Sequence, residues 1–199
     1  KIIKIKKIFK SINKDFIIND IKPLQIAEKN DLTFLDSIRY KSNAKLTKAS
    51  ACITINSLQN FLPNNVQKII VKNVLLELSS VLNKIYPYAD IDYPDLTLKK
   101  PAKKKYNTVK FGNNVLIGKN VKLGKNSMIG ANTIIEHDVE IGEDCIIGSG
   151  VIIKNTIIGE RVVLQDNCKI GQKGFGFIPT SKKNIKFPHI GKVIIQDDV

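Results

Sequence analysis

The 199-residue sequence is poor in several residue types that mark whole classes of function. It has no Trp and one Met, and of its 32 Lys and Arg residues only Arg39 and Arg161 are arginine. Arginine supplies most base readout and bidentate phosphate recognition, so the composition argues against a nucleic-acid-binding protein. The formal net charge of +14 is carried by lysine, and it favours an acidic protein or an anionic, phosphorylated substrate as a partner.

Cysteine and long apolar runs are also scarce. Cys52, Cys145 and Cys168 are odd in number and far apart, which indicates neither a disulfide framework nor a metal site. We interpret them as small core residues of a cytoplasmic protein in a reducing environment. No apolar run approaches the roughly 18 residues of a membrane span. The opening stretch KIIKIKKIFK alternates like a β-strand and lacks the apolar centre of a signal peptide.

What the sequence does contain is a six-residue repeat. An aliphatic or aromatic residue followed by a second, usually small, residue recurs at every sixth position, and Gly fills six of the first eight second positions although the chain holds only 12 Gly. The pairs are Phe111-Gly112, Ile117-Gly118, Leu123-Gly124, Ile129-Gly130, Ile135-Glu136, Ile141-Gly142, Ile147-Gly148 and Ile153-Lys154, and after one residue is dropped Ile158-Gly159, Leu164-Gln165 and Ile170-Gly171. A second series lies two residues earlier, at Val115, Val121, Ser127, Thr133, Val139, Cys145 and Val151.

This repeat predicts a parallel β-helix. Apolar residues at positions i and i−2 suit a short strand whose alternate side chains point inward, followed by a tight turn. We expect the Gly to permit the sharp bend at each corner, where a Cβ would clash. Three hexads close one triangular coil, and coils stack about 4.8 Å apart through parallel backbone hydrogen bonds. A β-sandwich with regular turns is the alternative, but its strands do not keep one register for so long.

The pattern divides the chain into three segments. Residues 1–86 lack the repeat; apolar strands at 51–55 and 68–72 and helical spacing from Asn73 to Tyr86 predict a small α/β domain that ends in a helix. Residues 87–110 form a Pro- and Lys-rich linker with a first, degraded coil, because Lys105 falls on an inward position, unless the first coil begins later. Residues 111–199 form the β-helix, incomplete at its C-terminus, with a loop insertion at 171–191.

Two further motifs make the sequence resemble a known family. The string Gly174-Phe175-Gly176-Phe177 is followed by a "K-x-P-x-x-G-x-V-x-I"-like string from Lys186 to Ile195, and residues 31–40 look like the family's "ITF…N-x-K-Y" uridine-binding segment. Together with the hexads, these strings resemble the UDP-3-O-(3-hydroxyacyl)glucosamine N-acyltransferases of lipid A biosynthesis. The resemblance implies an α+β N-terminal domain, residues 1–86, that binds the uridine of a UDP-sugar, followed by a left-handed parallel β-helix.

The resemblance also implies an activity. Members of the family transfer a 3-hydroxyacyl chain from acyl carrier protein to the 2-amino group of an O-acylated UDP-glucosamine. They act as homotrimers, with active sites between neighbouring β-helices. The implied donor is the phosphopantetheine thioester of acyl carrier protein, and no further cofactor or metal is expected.

Candidate binding residues follow from the same resemblance. Phe34 and Tyr40 are expected to stack on the two faces of uracil, with a plain core role for Phe34 as the alternative. Ser37 stands where the family usually has an Asn that hydrogen-bonds uracil, and Arg39 replaces a usual Lys. A hydroxyl has a shorter reach and fewer donors than an amide, so Ser37 predicts weakened uridine recognition.

A second set of candidates surrounds the Gly-Phe-Gly-Phe string. We expect Gly174, Phe175, Gly176, Phe177 and His189 to line an acyl or pantetheine groove, with a packed corner loop as the alternative.

The two histidines are not expected to catalyse the reaction. His137, beside Glu136 in an early coil, is interpreted as structural or as a minor cleft contact. His189 stands where relatives tolerate Gln. Two histidines are also one short of the three zinc ligands of β-helical carbonic anhydrases, whose fold is similar.

Acyl transfer to an amine needs a general base, and the sequence contains no string similar to the family's "Q-I-A-H". We therefore assign no catalytic residue and expect the family's His to lie beyond Val199, so that the chain is a fragment or a shortened gene product. Two alternatives remain open: a non-catalytic remnant that binds UDP-sugar or only trimerises, and a CoA-dependent sugar acetyltransferase.

Overall fold

The protein is described by a computed structural model that covers residues 2–10, 12 and 15–199. The chain forms two compact units. The first consists of Lys1–Ile91 with Phe175–Pro188, and the second of Asp92–Gly174 with His189–Val199. None of the described helices is long and apolar enough to cross a membrane.

The first unit is built on a four-stranded parallel sheet with the order β3-β4-β5-β6. A short antiparallel pair, β1 with β2, precedes it. The elements are β1 (Ile3–Lys4), α1 (Ile5–Ile8), β2 (Ile17–Ile18), β3 (Asp20–Ile21), β4 (Asp31–Leu35), α2 (Lys41–Leu46), β5 (Ala51–Thr54), β6 (Gln67–Ile70) and α3 (Val74–Ile85), with 3-10 helices at Ile38–Tyr40 and Asn56–Phe61.

The strand predicted for KIIKIKKIFK is wrong for most of its length. Only Ile3–Lys4 is a strand, and Ile5–Ile8 forms one helical turn that buries Ile5 and Ile8 on the same side. The alternation of the stretch fits a strand, but the spacing of three between these two isoleucines fits a helical turn equally well. The turn forms because it lets both side chains pack in the core. Lys1, the first residue of the stretch, lies outside the described residues.

Helix α3 confirms the sequence prediction, including its boundaries. The side chain of Asn73 accepts a hydrogen bond of 3.0 Å from the backbone N–H of Leu76 and so caps the first turn. The helix ends at Ile85, two residues before Pro87. Its buried face, which includes Leu78 and Val81, packs with the sheet residues Leu32 and Ile53 in one core.

A hairpin from the second half of the chain belongs to the first unit. It consists of β18 (Phe177–Pro179) paired antiparallel with β19 (Asn184–Lys186). The next residue, Phe187, packs against the core of the first unit. The departure from hexad phase after Gly171 is therefore an ordered excursion.

The second unit is a left-handed parallel β-helix, which confirms the predicted fold class. Its three sheets have the orders β16-β13-β10-β7, β17-β14-β11-β8 and β20-β15-β12-β9. The strands are β7 (Lys110–Phe111), β8 (Leu116–Ile117), β9 (Lys122–Leu123), β10 (Met128–Ile129), β11 (Ile134–Ile135), β12 (Glu140–Ile141), β13 (Ile146–Ile147), β14 (Ile152–Ile153), β15 (Thr156–Ile158), β16 (Val163–Leu164), β17 (Lys169–Ile170) and β20 (Val193–Ile195).

Most residues of both inward series are buried as predicted, and Phe111, Leu123 and Ile170 near the two ends are half-buried. Ile135, Ile147, Ile153 and Val139 are at most 1% exposed, and burial of a large aliphatic side chain contributes about 2 kcal/mol to folding. The polar members of the second series are satisfied inside the core. Ser127, for example, donates a hydrogen bond of 3.0 Å to the carbonyl oxygen of Gly142.

The clash expected for a Cβ at the corner glycines is confirmed, although most of these glycines do not themselves make the left-handed bend. At most corners the residue with positive φ is an Asn or Asp two positions after the Gly, as at Asn114, Asn120 and Asn126 with φ between 59° and 60°. Gly150 and Arg161 take this place at two others. Gly124 has no positive φ; a Cβ there would lie 2.2 Å from the backbone of Gly142 in the next coil. Gly is therefore required by the close approach of successive coils.

The same corner residues connect the coils through their side chains. Asn120 donates a hydrogen bond of 3.0 Å to Asp138, and Asn126 donates one of 3.1 Å to Asp144, each 18 positions further along. Short amide and carboxylate side chains tolerate the left-handed conformation and reach the next coil. The corner thus combines a backbone requirement with a polar ladder.

The end of the β-helix before β7 is closed by Tyr106. This side chain is 8% exposed and packs with the core, and its hydroxyl donates a hydrogen bond of 2.8 Å to the carbonyl oxygen of Val121. The inward position suggested for Lys105 is wrong. Its exposed side chain lies over the Tyr106 ring at 4.8 Å and donates to the same carbonyl, because an ammonium group in the core would have no partner.

The close approach of two successive coils at Gly124 gives a first testable prediction. Gly124→Ala places a methyl group against the backbone of the next coil, so we expect a loss of about 3 kcal/mol in the free energy of unfolding. Chemical denaturation monitored by circular dichroism measures it. Gly191→Ala is the matched control, since nothing lies within 4 Å of a Cβ there. Equal stability of the two variants would contradict the close-approach argument.

Candidate functional site

A pocket of about 250 Å³ lies beside the carboxyl end of β4 in the first unit. In an open parallel sheet, this edge is the usual place for a ligand. Six residues line the pocket: Pro23, Leu24, Gln25, Phe34, Asp36 and Tyr40.

Local structure fixes the aromatic members of this pocket. Phe34 is the fourth residue of β4, and its half-buried ring also packs against the core. Tyr40 ends the 3-10 helix Ile38–Tyr40 and is 47% exposed. The structure therefore brings together the two rings that the resemblance assigned to uracil stacking. Phe34 also packs against the core, and its stacking role stays a prediction.

Ser37 and Arg39 do not line this pocket. The hydroxyl of Ser37 accepts a hydrogen bond of 3.4 Å from the backbone N–H of Arg39 and caps the 3-10 helix. Arg39 is exposed. The side chain of Ser37 thus serves the turn that carries Tyr40, and its role in uracil recognition stays a prediction.

Gln25 and Asp36 are pocket residues that the sequence analysis missed. Gln25 lies in the turn that follows β3, and Asp36 comes directly after β4. Because β3 and β4 are parallel neighbours, residues just beyond their carboxyl ends meet at one edge. This topological signal could have identified both side chains. The motif over residues 31–40 includes Asp36 but assigns it no role, and it does not extend to Gln25.

A larger cavity of about 750 Å³ lies at the opposite edge of the same sheet, before β4, β5 and β6. Its lining includes Lys29, Lys68, Asn64 and Gln67 but only one aromatic residue, Phe16. It therefore offers no pair of flat faces for a nucleobase.

The predicted groove residues separate into two contacts. Phe175 and Phe177 in the first unit form an edge-to-face pair with ring centroids 4.8 Å apart, and Phe175 is 90% exposed. The carbonyl oxygen of Gly176 accepts a hydrogen bond of 2.9 Å from the backbone N–H of Phe187. The hairpin thus presents two aromatic rings that are not used in a core.

Gly174 and His189 form the other contact, in the second unit. A Cβ at Gly174 would lie 2.6 Å from Cε1 of the His189 ring, so only Gly leaves room for this imidazole. The Nε2 atom of His189 is buried and has no hydrogen-bond partner among the described residues.

His137 takes part in a hydrogen-bonded chain on the β-helix surface. Its Nδ1 lies 2.8 Å from the carboxylate of Asp138, and its backbone N–H donates to Asp95 at 2.8 Å. Burial alone would raise the pKa of Asp95, but hydrogen bonds from Thr97 and His137 outweigh it and hold the pKa below the usual range. The arrangement orients an exposed imidazole and fixes residues 95–97 on the coil surface.

A charged cluster replaces Gly at one corner. Glu136 and Lys154 occupy second positions of the repeat at the same corner of successive coils. The Nζ atom of Lys154 lies 3.0 Å from Glu136 and 3.3 Å from Asp92. Burial would lower the pKa of Lys154, but the hydrogen bond that it donates to Glu136 and the charges of the two nearby carboxylates raise it. The cluster is nearly enclosed, since the side chains of Lys154 and Glu136 are 12% and 13% exposed.

No group of three or more His, Cys, Asp or Glu side chains in the described part of the chain is arranged to hold a metal ion. Cys52 and Cys145 are buried free thiols, and Cys168 is half-buried. Burial raises the pKa of Cys52 to about 12, so this thiol is not an activated nucleophile.

The fold defines the class of protein. Residues 120–155 match the bacterial transferase hexapeptide family (six repeats), in agreement with the parallel coils described above. The second unit therefore shares the hexapeptide repeat of that transferase family.

The first unit narrows this class. Residues 15–83 match the family model of UDP-3-O-(3-hydroxymyristoyl) glucosamine N-acyltransferase. The chain is 43% identical over 182 residues to the UDP-3-O-acylglucosamine N-acyltransferase of Granulibacter bethesdensis. The aligned region covers 90% of this chain and 53% of that protein. It is 40% identical over 196 residues to UDP-3-O-acylglucosamine N-acyltransferase 2 of Nitrobacter winogradskyi, covering 94% and 58%.

A third relative, UDP-3-O-acylglucosamine N-acyltransferase 2 of Rhodopseudomonas palustris, is 40% identical over 190 residues, covering 92% of this chain and 51% of that protein. The chain thus spans between 51% and 58% of the length of these three relatives. Over the residues that it spans, the chain is similar to these UDP-3-O-acylglucosamine N-acyltransferases.

The enclosed charge cluster yields a second prediction. Lys154→Gln leaves Glu136 without its ammonium partner in a nearly buried position, and we expect a loss of about 3 kcal/mol in the free energy of unfolding. Lys122→Gln is the matched control, because Lys122 also pairs with a Glu of the next coil at 3.0 Å but is 71% exposed; its loss should stay below about 1 kcal/mol. Urea titration of both variants measures the difference, and similar losses would show that enclosure does not matter.

Proposed function

We propose that the protein takes part in the N-acylation of UDP-3-O-acylglucosamine in lipid A biosynthesis, with a 3-hydroxyacyl chain supplied by acyl carrier protein. The family matches support the acyltransferase class and the UDP-sugar acceptor. The 3-hydroxyacyl donor follows from the resemblance of the motifs, and the lysine-rich composition is compatible with an acidic carrier protein.

The observation that carries the proposal is the pocket between Phe34 and Tyr40. Two aromatic side chains at one small pocket suit a flat pyrimidine ring, which stacks on aromatic faces irrespective of its substituents. Selection of uracil then requires polar groups at the ring edge. The carboxamide of Gln25 offers both a donor and an acceptor, and the carboxylate of Asp36 offers an acceptor for the N3–H of uracil.

The proposed reaction is a direct transfer. The 2-amino nitrogen of the acceptor attacks the thioester carbonyl, the C–N bond forms, the C–S bond breaks, and the phosphopantetheine thiol leaves. A general base must accept the proton of the attacking amine, and donors must stabilise the oxyanion. Neither role is assigned to a residue of this chain.

The groove residues have a place in this scheme. The exposed edge-to-face pair Phe175 and Phe177 offers apolar surface to an acyl or pantetheine chain, and Gly174 leaves room for the ring of His189. We also propose a cytoplasmic homotrimer, as the resemblance implies.

The uridine pocket gives a third prediction. Tyr40→Ala removes one stacking face, and we expect a loss of about ten-fold in affinity for uridine diphosphate, because stacking on a base contributes roughly 1–3 kcal/mol. Tyr40→Phe keeps the flat ring and should bind nearly as well as the wild type. Isothermal titration calorimetry with the 199-residue chain measures both. The 47% exposure of Tyr40 allows the truncation without a large loss of stability.

Unchanged affinity in Tyr40→Ala would count against stacking at this pocket. If the wild-type chain binds no uridine diphosphate at all, the proposed UDP-sugar function of the first unit is wrong, and a sugar acetyltransferase with a different acceptor becomes the better proposal.

The aromatic pair on the hairpin gives a fourth prediction. Phe175→Ala should leave the melting temperature unchanged, because this ring is 90% exposed, and should weaken the binding of 3-hydroxyacyl–acyl carrier protein several-fold through lost apolar contact. Surface plasmon resonance with the acylated carrier compares it with Leu46→Ala, a truncation at an 80% exposed apolar residue of the same unit. Equal affinity of both variants would favour a role as a plain loop, and preferential binding of an acyl-CoA would favour CoA as the donor.

A further inference from the structure

The segment that precedes the first coil forms a second distinctive surface on the β-helix unit. Lys99 pairs with Ile117 of β8 through two backbone hydrogen bonds of 3.0 and 2.8 Å, so the segment is fixed to the coil. Two cavities of about 560 and 520 Å³ lie on either side of it. Lys100 and Pro101 line both, which makes the two cavities neighbours.

The charge of this surface has one sign. Lys99, Lys100, Lys105 and Lys119 line the first cavity, and Lys100 and Lys103 line the second. We call these five side chains the lysine face. In the described part of the chain, neither cavity has an acidic residue in its lining.

Two carboxylates lie beside the lysine face and offset part of its charge, but among the described residues neither forms an ion pair with any of its five lysines. Asp95 lies beside Gly118 and accepts hydrogen bonds from Thr97 and His137, and Asp138 is held by Asn120 and His137. Among the described residues, the Nζ atoms of Lys99, Lys100, Lys103 and Lys119 make no hydrogen bond or ion pair, whereas the ion pairs on the outer coils join lysines to glutamates.

An apolar side chain stands out beside these lysines. Leu96 lines the first cavity at its rim and is 93% exposed, at the tip of a turn. The turn is held by Asp95, which accepts hydrogen bonds of 2.8 and 2.7 Å from the backbone N–H and hydroxyl of Thr97. A rigid turn therefore carries a protruding leucine within a cationic surface.

From these features we infer that the lysine face and Leu96 form a membrane-surface site that binds an anionic phospholipid bilayer. Lysines near an anionic bilayer contribute to binding without specific geometry, each on the order of five-fold in the partition coefficient. A protruding leucine adds apolar insertion below the headgroups. The inference does not depend on the acyl-transfer proposal.

A bilayer fits these residues better than an acidic protein does. Protein docking favours arginine and aromatic anchors that fill pockets on the partner. The lysine face consists of flexible point charges without arginine, its cavities are open, and its apolar residue is convex. A fluid headgroup layer can adapt to such a surface, while a folded partner needs a complementary shape.

The test is co-sedimentation of the 199-residue chain with lipid vesicles. We expect binding to vesicles that mix phosphatidylglycerol with phosphatidylcholine, and none to phosphatidylcholine alone. Binding should weaken as salt rises, because the Debye length shortens from about 10 Å at 0.1 M to about 3 Å at 1 M. The double variant Lys100→Gln/Lys103→Gln should lower the partition coefficient roughly 25-fold, and Leu96→Ser about ten-fold.

The matched control removes two exposed lysines at the other end of the coil stack. Lys169 opens β17 and Lys192 precedes β20, the terminal strands of their sheets, whereas Lys99 contacts β8 at the opposite end. Lys169→Gln/Lys192→Gln has the same net charge as the first double variant and should change partitioning by less than about three-fold.

Three results would overturn the inference. The first is no binding to phosphatidylglycerol vesicles at low salt. The second is an equal loss in both double variants, which would show a response to net charge alone. The third is binding of a soluble acidic protein, probed with acyl carrier protein, that depends on Lys100 and Lys103 while vesicles do not bind. Thermal unfolding of each variant ensures that losses in partitioning are compared between equally folded chains.

Discussion

The parallel hydrogen bonds between successive coils are the constraint on which the second unit depends. They bring the backbones so close at the corners that a Cβ at Gly112, Gly124 or Gly130 would lie 2.5 Å or less from the next coil. The same spacing stacks the inward side chains into a continuous core and places Asn and Asp corner residues within hydrogen-bond reach of one another. Composition follows from this spacing: glycine where coils approach, short polar residues where the chain turns, and aliphatic residues inside.

The sequence was sufficient for the parts of the fold that repeat. Register, the dropped residue and the return at Val193 could all be counted, because each hexad reports the same environment. The opening stretch could not be predicted in this way. A few residues such as Ile5 and Ile8 are compatible with both periods, and tertiary packing decides between them. Lys105 shows the same limit: the repeat suggested an inward position, but Tyr106 supplies the apolar cap, and no local pattern marks where a repeat begins.

The candidate site was partly accessible from the sequence. Phe34 and Tyr40 were found through a motif and lie at one pocket, whereas Ser37, chosen from the same motif, is used as a cap. Gln25 was missed because its place depends on how β3 is paired with β4, which is a property of topology. The pocket beside β4 is lined by residues that are neighbours in space but distant in sequence, so a linear motif identifies only one of its walls.

The hairpin excursion has a consequence for how such a protein can change. Strand β20, which follows the hairpin, pairs directly with β15, and β17, which precedes it, pairs with β14. Both ends of the excursion are therefore anchored in rungs that already exist, and no coil hydrogen bond depends on the length between Gly171 and Val193. Insertions and deletions in this stretch are decoupled from the stacking of the core. The β-helix can therefore keep its coils constant while the length and sequence of the hairpin segment vary between related proteins.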